Sequence, residues 1–233
     1  MTGEPSVLRV GALAAFGVGL AYLLSAVAFL AQAPVLRGAG TPHEFWMALA
    51  AGAPAHLAVH WLSAVAGLLG LAVVPAAWRL ARSRDGAGEG WSVFASALAA
   101  VGFAVTARSH LMEVELDLRV APLYPDLPPD AQAVVPLVAG LALDVPHGWL
   151  TLGGIGVWVV VVSALGARNG RLPRALAALG HALGACFLAA VVGFSALWLP
   201  LVTVGIGVGG TLLAPAWFAA LGVTLRRRAR ELA

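Results

Sequence analysis

Six runs of about twenty apolar residues set the limits on what this chain can become. They fall at about 8–31, 55–78, 91–111, 145–167, 175–197 and 204–225. Each is long enough to cross the roughly 30 Å hydrocarbon core of a bilayer as an α-helix. Hydrocarbon offers no partner to a backbone N–H or C=O, so a spanning segment must satisfy its own hydrogen bonds, as a helix does. Composition agrees: 61% of residues are hydrophobic and 11% are charged, against roughly 25% charged in soluble domains. These features predict an all-α membrane bundle of six transmembrane helices, forming a single domain over residues 1–233.

The first run precedes Ala31-Gln32-Ala33, which has the look of a signal cleavage site. About 22 apolar residues are too many for a signal h-region, so the run reads as the first span. The arginines then suggest an orientation. Eleven of the 14 fall on the side that holds both termini in a six-span arrangement, leaving Arg37, Arg108 and Arg119 on the other. Seven of the 11 acidic residues fall on that other side. Positive charge marks the cytoplasmic face, so both termini are expected in the cytoplasm. With a net charge of +3 and the arginines in short loops, orientation explains the basic residues better than nucleic acid does. No lysine is present, which excludes a Schiff base. The single Cys186 excludes an internal disulfide and thiolate clusters; it reads as a small buried hydrophobe.

Two outer loops carry structure. Thr41-Pro42-His43-Glu44 is a capping-box pattern with proline at the first helical position, predicting a short interfacial helix over about 42–51. Four prolines between Arg119 and Asp130 predict an irregular loop, with Asp130 capping a helix from Ala131 that feeds the fourth span. Pro136 and Pro146 are expected kinks. The glycines between Gly205 and Gly210 predict close helix packing, since no lysine follows as a phosphate loop requires. Trp61, Trp91, Trp149, Trp198 and Trp217 suit aromatic belts at the two interfaces.

The chemistry lies at the outer ends of spans two, three and four. His56 and His60 are four residues apart and share a helix face, so two imidazoles can reach one metal. His110, Glu113 and Asp117 fall at i, i+3 and i+7, again on one face, while Glu115 points elsewhere. Asp144 and His147 are three apart at the start of the fourth span. Ionisable groups near hydrocarbon need partners or a function. Imidazoles and carboxylates at one depth are the donor set for iron or zinc. His43 and Glu44 read instead as cap residues, and His181, toward the opposite side, as a packed or carbonyl-bonded histidine.

Haem b is the alternative cofactor, with one axial histidine from each of two helices and Arg108 and Arg119 on the propionates. The adjacent carboxylates favour a non-haem ion, and Trp61 and Trp149 could line the same site. The first expectation is a metal-binding membrane protein, acting in redox chemistry on a lipid-soluble substrate such as a quinol or in metal-assisted hydrolysis. A haem b electron-transfer subunit comes second. An accessory subunit of a membrane complex or a small transporter comes third. The sequence leaves open whether the chain is an enzyme.

An interfacial helix after the first span, Ala77-Trp78-Arg79-Leu80 ending the second, Arg171-Leu172-Pro173-Arg174 with Ala178-Leu179-Gly180 opening the fifth, and Ala214-Pro215-Ala216-Trp217 in the sixth give the chain an outline. That outline resembles a domain-of-unknown-function family of small six-helix bacterial membrane proteins. The resemblance implies a fold but no activity; the expected location is the bacterial cytoplasmic membrane, crossed several times. The histidines are not part of it.

Overall fold

The computed structural model describes residues 4–82, 86, 88–142 and 148–233. Among them are nine α-helices and no strands. In chain order they are α1 Glu4–Ala31, α2 Pro42–Ala50, α3 Pro54–Ala81, α4 Glu89–Arg119, α5 Pro129–Ala142, α6 Ile155–Arg168, α7 Arg174–Ser195, α8 Leu199–Val208 and α9 Ala214–Glu231. A π-helical turn, Trp149–Gly154, runs into α6, and a second, Gly209–Leu213, joins α8 to α9. Among the described residues, six segments are long and apolar enough to span a membrane: Pro5–Ala31, Pro54–Ala81, Glu89–Arg119, Trp149–Arg168, Arg174–Ser195 and Leu199–Glu231. Leucines and valines such as Leu13, Leu20, Val27, Leu30 and Val192 stand on the outer surface of these helices. A bundle that is apolar outside as well as inside belongs in lipid. The chain is a multi-pass helical membrane protein.

Small residues let the helices approach. A β-carbon at Gly67 of α3 would lie 2.7 Å from the Ala107 nitrogen and 2.8 Å from the Phe103 oxygen of α4. One at Gly184 of α7 would lie 2.9 Å from the Gly156 oxygen of α6. Backbone therefore packs on backbone, as in other membrane helix pairs. An aromatic group fills the centre. Trp158 crosses Trp217 edge-on at 5.7 Å, and Phe103 and Phe218 pack around them. Trp217 is thus fully buried, not a belt residue; its face of α9 turns toward α6 and α7. Trp61, Trp91, Trp149 and Trp198 are exposed.

Several boundaries differ from the sequence expectation. The third span runs on to Arg119, because no proline or glycine interrupts it before Pro122 and Arg119 pairs with Glu115 at 2.7 Å across one turn. The proline-rich stretch is not irregular throughout: Ala121–Asp126 is a 3₁₀ turn that buries Tyr124. The next helix, α5, starts at Pro129 and not at Ala131. Proline suits the first helical position, so Asp130 sits inside the first turn, where its charge favours the positive helix end. The described part of the fourth span begins at Trp149; Pro146 lies outside the described residues. The sixth span starts at Leu199 and continues through the arginines to Glu231. Within it, Gly205 meets the Cys186 oxygen of α7 closely, whereas Gly207 faces open space.

The arginine-rich ends meet. Arg171 donates to the Arg79 carbonyl at 2.7 Å, Asn169 to the Ala81 carbonyl at 2.8 Å, and Arg228 to the Gly170 carbonyl at 3.1 Å. The ends of α3 and α9 and the α6–α7 turn therefore share one end of the bundle. Along α3, Arg79 is 19 residues from His60, about 28 Å of helix rise. That is close to the hydrocarbon thickness, so His60 stands at the far end of the span from Arg79.

A histidine and aspartate cluster at one membrane boundary

Three helices meet at the histidine end. Pro54 starts α3 and places His56 and His60 in its first two turns, on one face. The last third of α4 carries His110, Glu113 and Asp117 alongside. The end of α1 brings Gln32, a residue the sequence reading passed over as part of a mock cleavage site. Its signal was a lone amide just past a long apolar run.

The three imidazoles form a chain. His60 Nδ1 is 2.9 Å from His110 Nδ1, and His60 Nε2 is 3.1 Å from His56 Nε2. His56 Nδ1 lies 3.4 Å from the Gln32 Oε1 atom, and His56 Nε2 lies 3.7 Å from Asp117 Oδ2. One donor atom from each of His56, His60 and Asp117 falls within 4.8 Å of the others, so the three could hold a metal ion. Both Asp117 carboxylate oxygens are buried, and neither has a hydrogen-bond partner among the described residues. Glu113 is half-buried one turn before Asp117. Just below, Ser25 of α1 and Ser63 of α3 share a buried hydroxyl contact at 3.4 Å.

A second, smaller apolar core stands beside the cluster and touches it at His56. The predicted interfacial helix is present as α2, with both capping-box bonds between Thr41 and Glu44. Its Trp46 stacks on Tyr124 of the 3₁₀ turn at 5.6 Å, and Leu49, Ala121 and Ala139 complete this core. His43 bonds the Tyr124 hydroxyl at 3.2 Å, away from the other imidazoles. The Phe45 and His56 rings meet nearly at right angles, with their centres 5.6 Å apart.

The remaining candidates stand elsewhere. Trp61, Trp149 and Arg108 are exposed on the bundle's outer surface. Arg119 is also exposed, on the salt bridge to Glu115. His181 bonds the Ala177 carbonyl at 2.7 Å within α7. Asp144 and His147 lie outside the described residues.

The two imidazoles pass a simple test of size. Metal–imidazole bonds of about 2.0–2.1 Å place adjacent ligand nitrogens roughly 2.9 to 3.4 Å apart, from a right angle to a tetrahedral one. The His56–His60 separation of 3.1 Å falls inside that range. Asp117 stands farther off, 3.7 Å from His56 Nε2 and within 4.8 Å of the His60 donor atom, so its carboxylate must close in to complete the set. The fold and site define a class: a multi-pass helical membrane protein with a His/His/Asp cluster at one membrane boundary. No family model, curated protein or solved structure matches the chain.

Proposed function

We propose that this protein binds a single divalent metal ion, iron or zinc, through His56 Nε2, His60 Nε2 and the Asp117 carboxylate. The observation that carries the reading is the orphaned carboxylate beside two facing imidazole nitrogens. A buried charge without a donor is costly unless a cation compensates it. Two imidazoles and one carboxylate leave positions for water or substrate, as in hydrolytic zinc sites and redox iron sites. Haem fits less well. Axial imidazoles on opposite sides of an iron stand about 4 Å apart, given bonds of about 2.0 Å. The His56 and His60 Nε2 atoms stand 3.1 Å apart, which suits adjacent ligands of one ion.

The arginine distribution supports a cluster on the extracytoplasmic side of a bacterial cytoplasmic membrane, with both termini inside. Its place beside that apolar core, at the edge of the hydrocarbon, favours a lipid-soluble substrate such as a quinol. Metal analysis of the purified protein tests the reading. One ion per chain is expected. His56→Ala, His60→Ala and Asp117→Ala should each lose most of it, because the remaining ligands leave the ion under-coordinated. His181→Ala should keep it. Parent protein with no stoichiometric metal, after loading with iron or zinc, would sink the idea.

A further inference from the structure

We infer that His110 and Gln32 are positioning residues: they turn the two ligand imidazoles so that both aim Nε2 at one ion, and they do not bind it themselves. This rests on the metal reading above. The argument comes from counting ring hydrogens. A carbonyl oxygen only accepts, so the 3.4 Å contact with Gln32 Oε1 requires His56 to carry its hydrogen on Nδ1. His56 Nε2 is then bare and must accept at the 3.1 Å contact, so His60 donates from Nε2. A neutral His60 has no second hydrogen, so its Nδ1 accepts from His110 Nδ1 at 2.9 Å. With neutral rings and this Gln32 placement, no other assignment satisfies all three contacts.

An ion that takes Nε2 of both His56 and His60 displaces the hydrogen between them. The proton on His60 Nε2 moves to His60 Nδ1, and the proton on His110 Nδ1 moves to His110 Nε2. Each ring keeps one N–H, and no proton is gained or lost. His60 Nδ1–H then donates to His110 Nδ1, as His56 Nδ1–H already donates to Gln32. Each ligand imidazole thus acquires the outer hydrogen bond that fixes tautomer and ring plane in metal sites. His110 must donate in one state and accept in the other. An imidazole can do both. So can an asparagine amide, by turning over.

The experiment loads the full-length protein with Co²⁺ and counts the paramagnetically shifted, exchangeable ring N–H resonances, alongside Zn²⁺ affinities measured by competition. Two resonances are expected, one each from His56 and His60. His110→Leu and Gln32→Leu should weaken Zn²⁺ binding about 10- to 100-fold, and His110→Asn should stay within about threefold of the parent. Thermal unfolding of the metal-free variants shows whether they are folded. Three shifted resonances would make His110 a ligand and overturn the inference. So would equal losses for His110→Asn and His110→Leu, or no loss for His110→Leu. Parent protein that takes up neither Co²⁺ nor Zn²⁺ overturns the metal reading and this assignment together. Metal-binding parent with the wrong His110 pattern overturns the assignment alone.

Discussion

At His60 both ring nitrogens face other imidazoles, and that fact could be only half read from the chain. The four-residue spacing from His56 is a property of one helix, so the sequence shows it. The approach of His110 and Asp117 depends on how α4 lies against α3, and Gln32 depends on where α1 ends. Neither is periodic within one segment. Arg108 and Trp61 show the converse error: they share the depth of the site, but their helix faces turn outward. Glu44 was legible in full, because a capping box is local. Its carboxylate accepts from the Thr41 backbone N–H at 2.8 Å and from the Thr41 hydroxyl at 3.0 Å. These bonds favour the charged form and hold the Glu44 pKa below the ordinary carboxylate value. The cap is therefore complete above the ordinary glutamate range and is lost as pH falls through the lowered value. The Thr41 amide resonance should titrate with a midpoint below that of a free glutamate, and Glu44→Gln should abolish the transition. A midpoint at the ordinary value would show the cap is not formed.

The helices themselves were readable as elements, and their ends were not. Apolar length finds the part of α4 inside hydrocarbon and stops there. The helix continues because its next residues are good helix formers that pair across turns. The two π-turns left no mark on the hydropathy, since a π-turn adds a residue without changing polarity. Close approach of α3 and α4 sets the spacing of His60 and His110, and Gly67 permits it. Gly67→Ala should cost about 1–3 kcal/mol, because its β-carbon meets backbone atoms that cannot move independently. It should also weaken metal uptake, since the clash lies two turns from His60. Gly207→Ala, with open space around it, is the control. Equal unfolding temperatures for the two variants would remove Gly67 from this role.

On the scale of the whole molecule, charge and chemistry sort to opposite ends. Arg79, Arg171 and Arg228 meet at one, and the imidazoles stand about 28 Å of helix rise away at the other. Reporter fusions after Arg82 and at Ala233 should read one side of the membrane, and a fusion after Asp126 the opposite side. A split between the first two would break the six-span arrangement. The length of α4 has its own consequence. Its 31 residues make about 46 Å of helix, so about 16 Å overhangs a 30 Å hydrocarbon slab. If Trp91 marks the arginine-side boundary, His110 comes at the other water line and Asp117 about two turns above it. On that placement the cluster lies lengthwise across the shoreline between oil and water, with the His60–His110 rung lower than the His56–Asp117 rung. A thicker or thinner bilayer slides that shoreline along α4 and changes which rung is wet. On that placement, bilayer thickness would set how much water reaches the cluster.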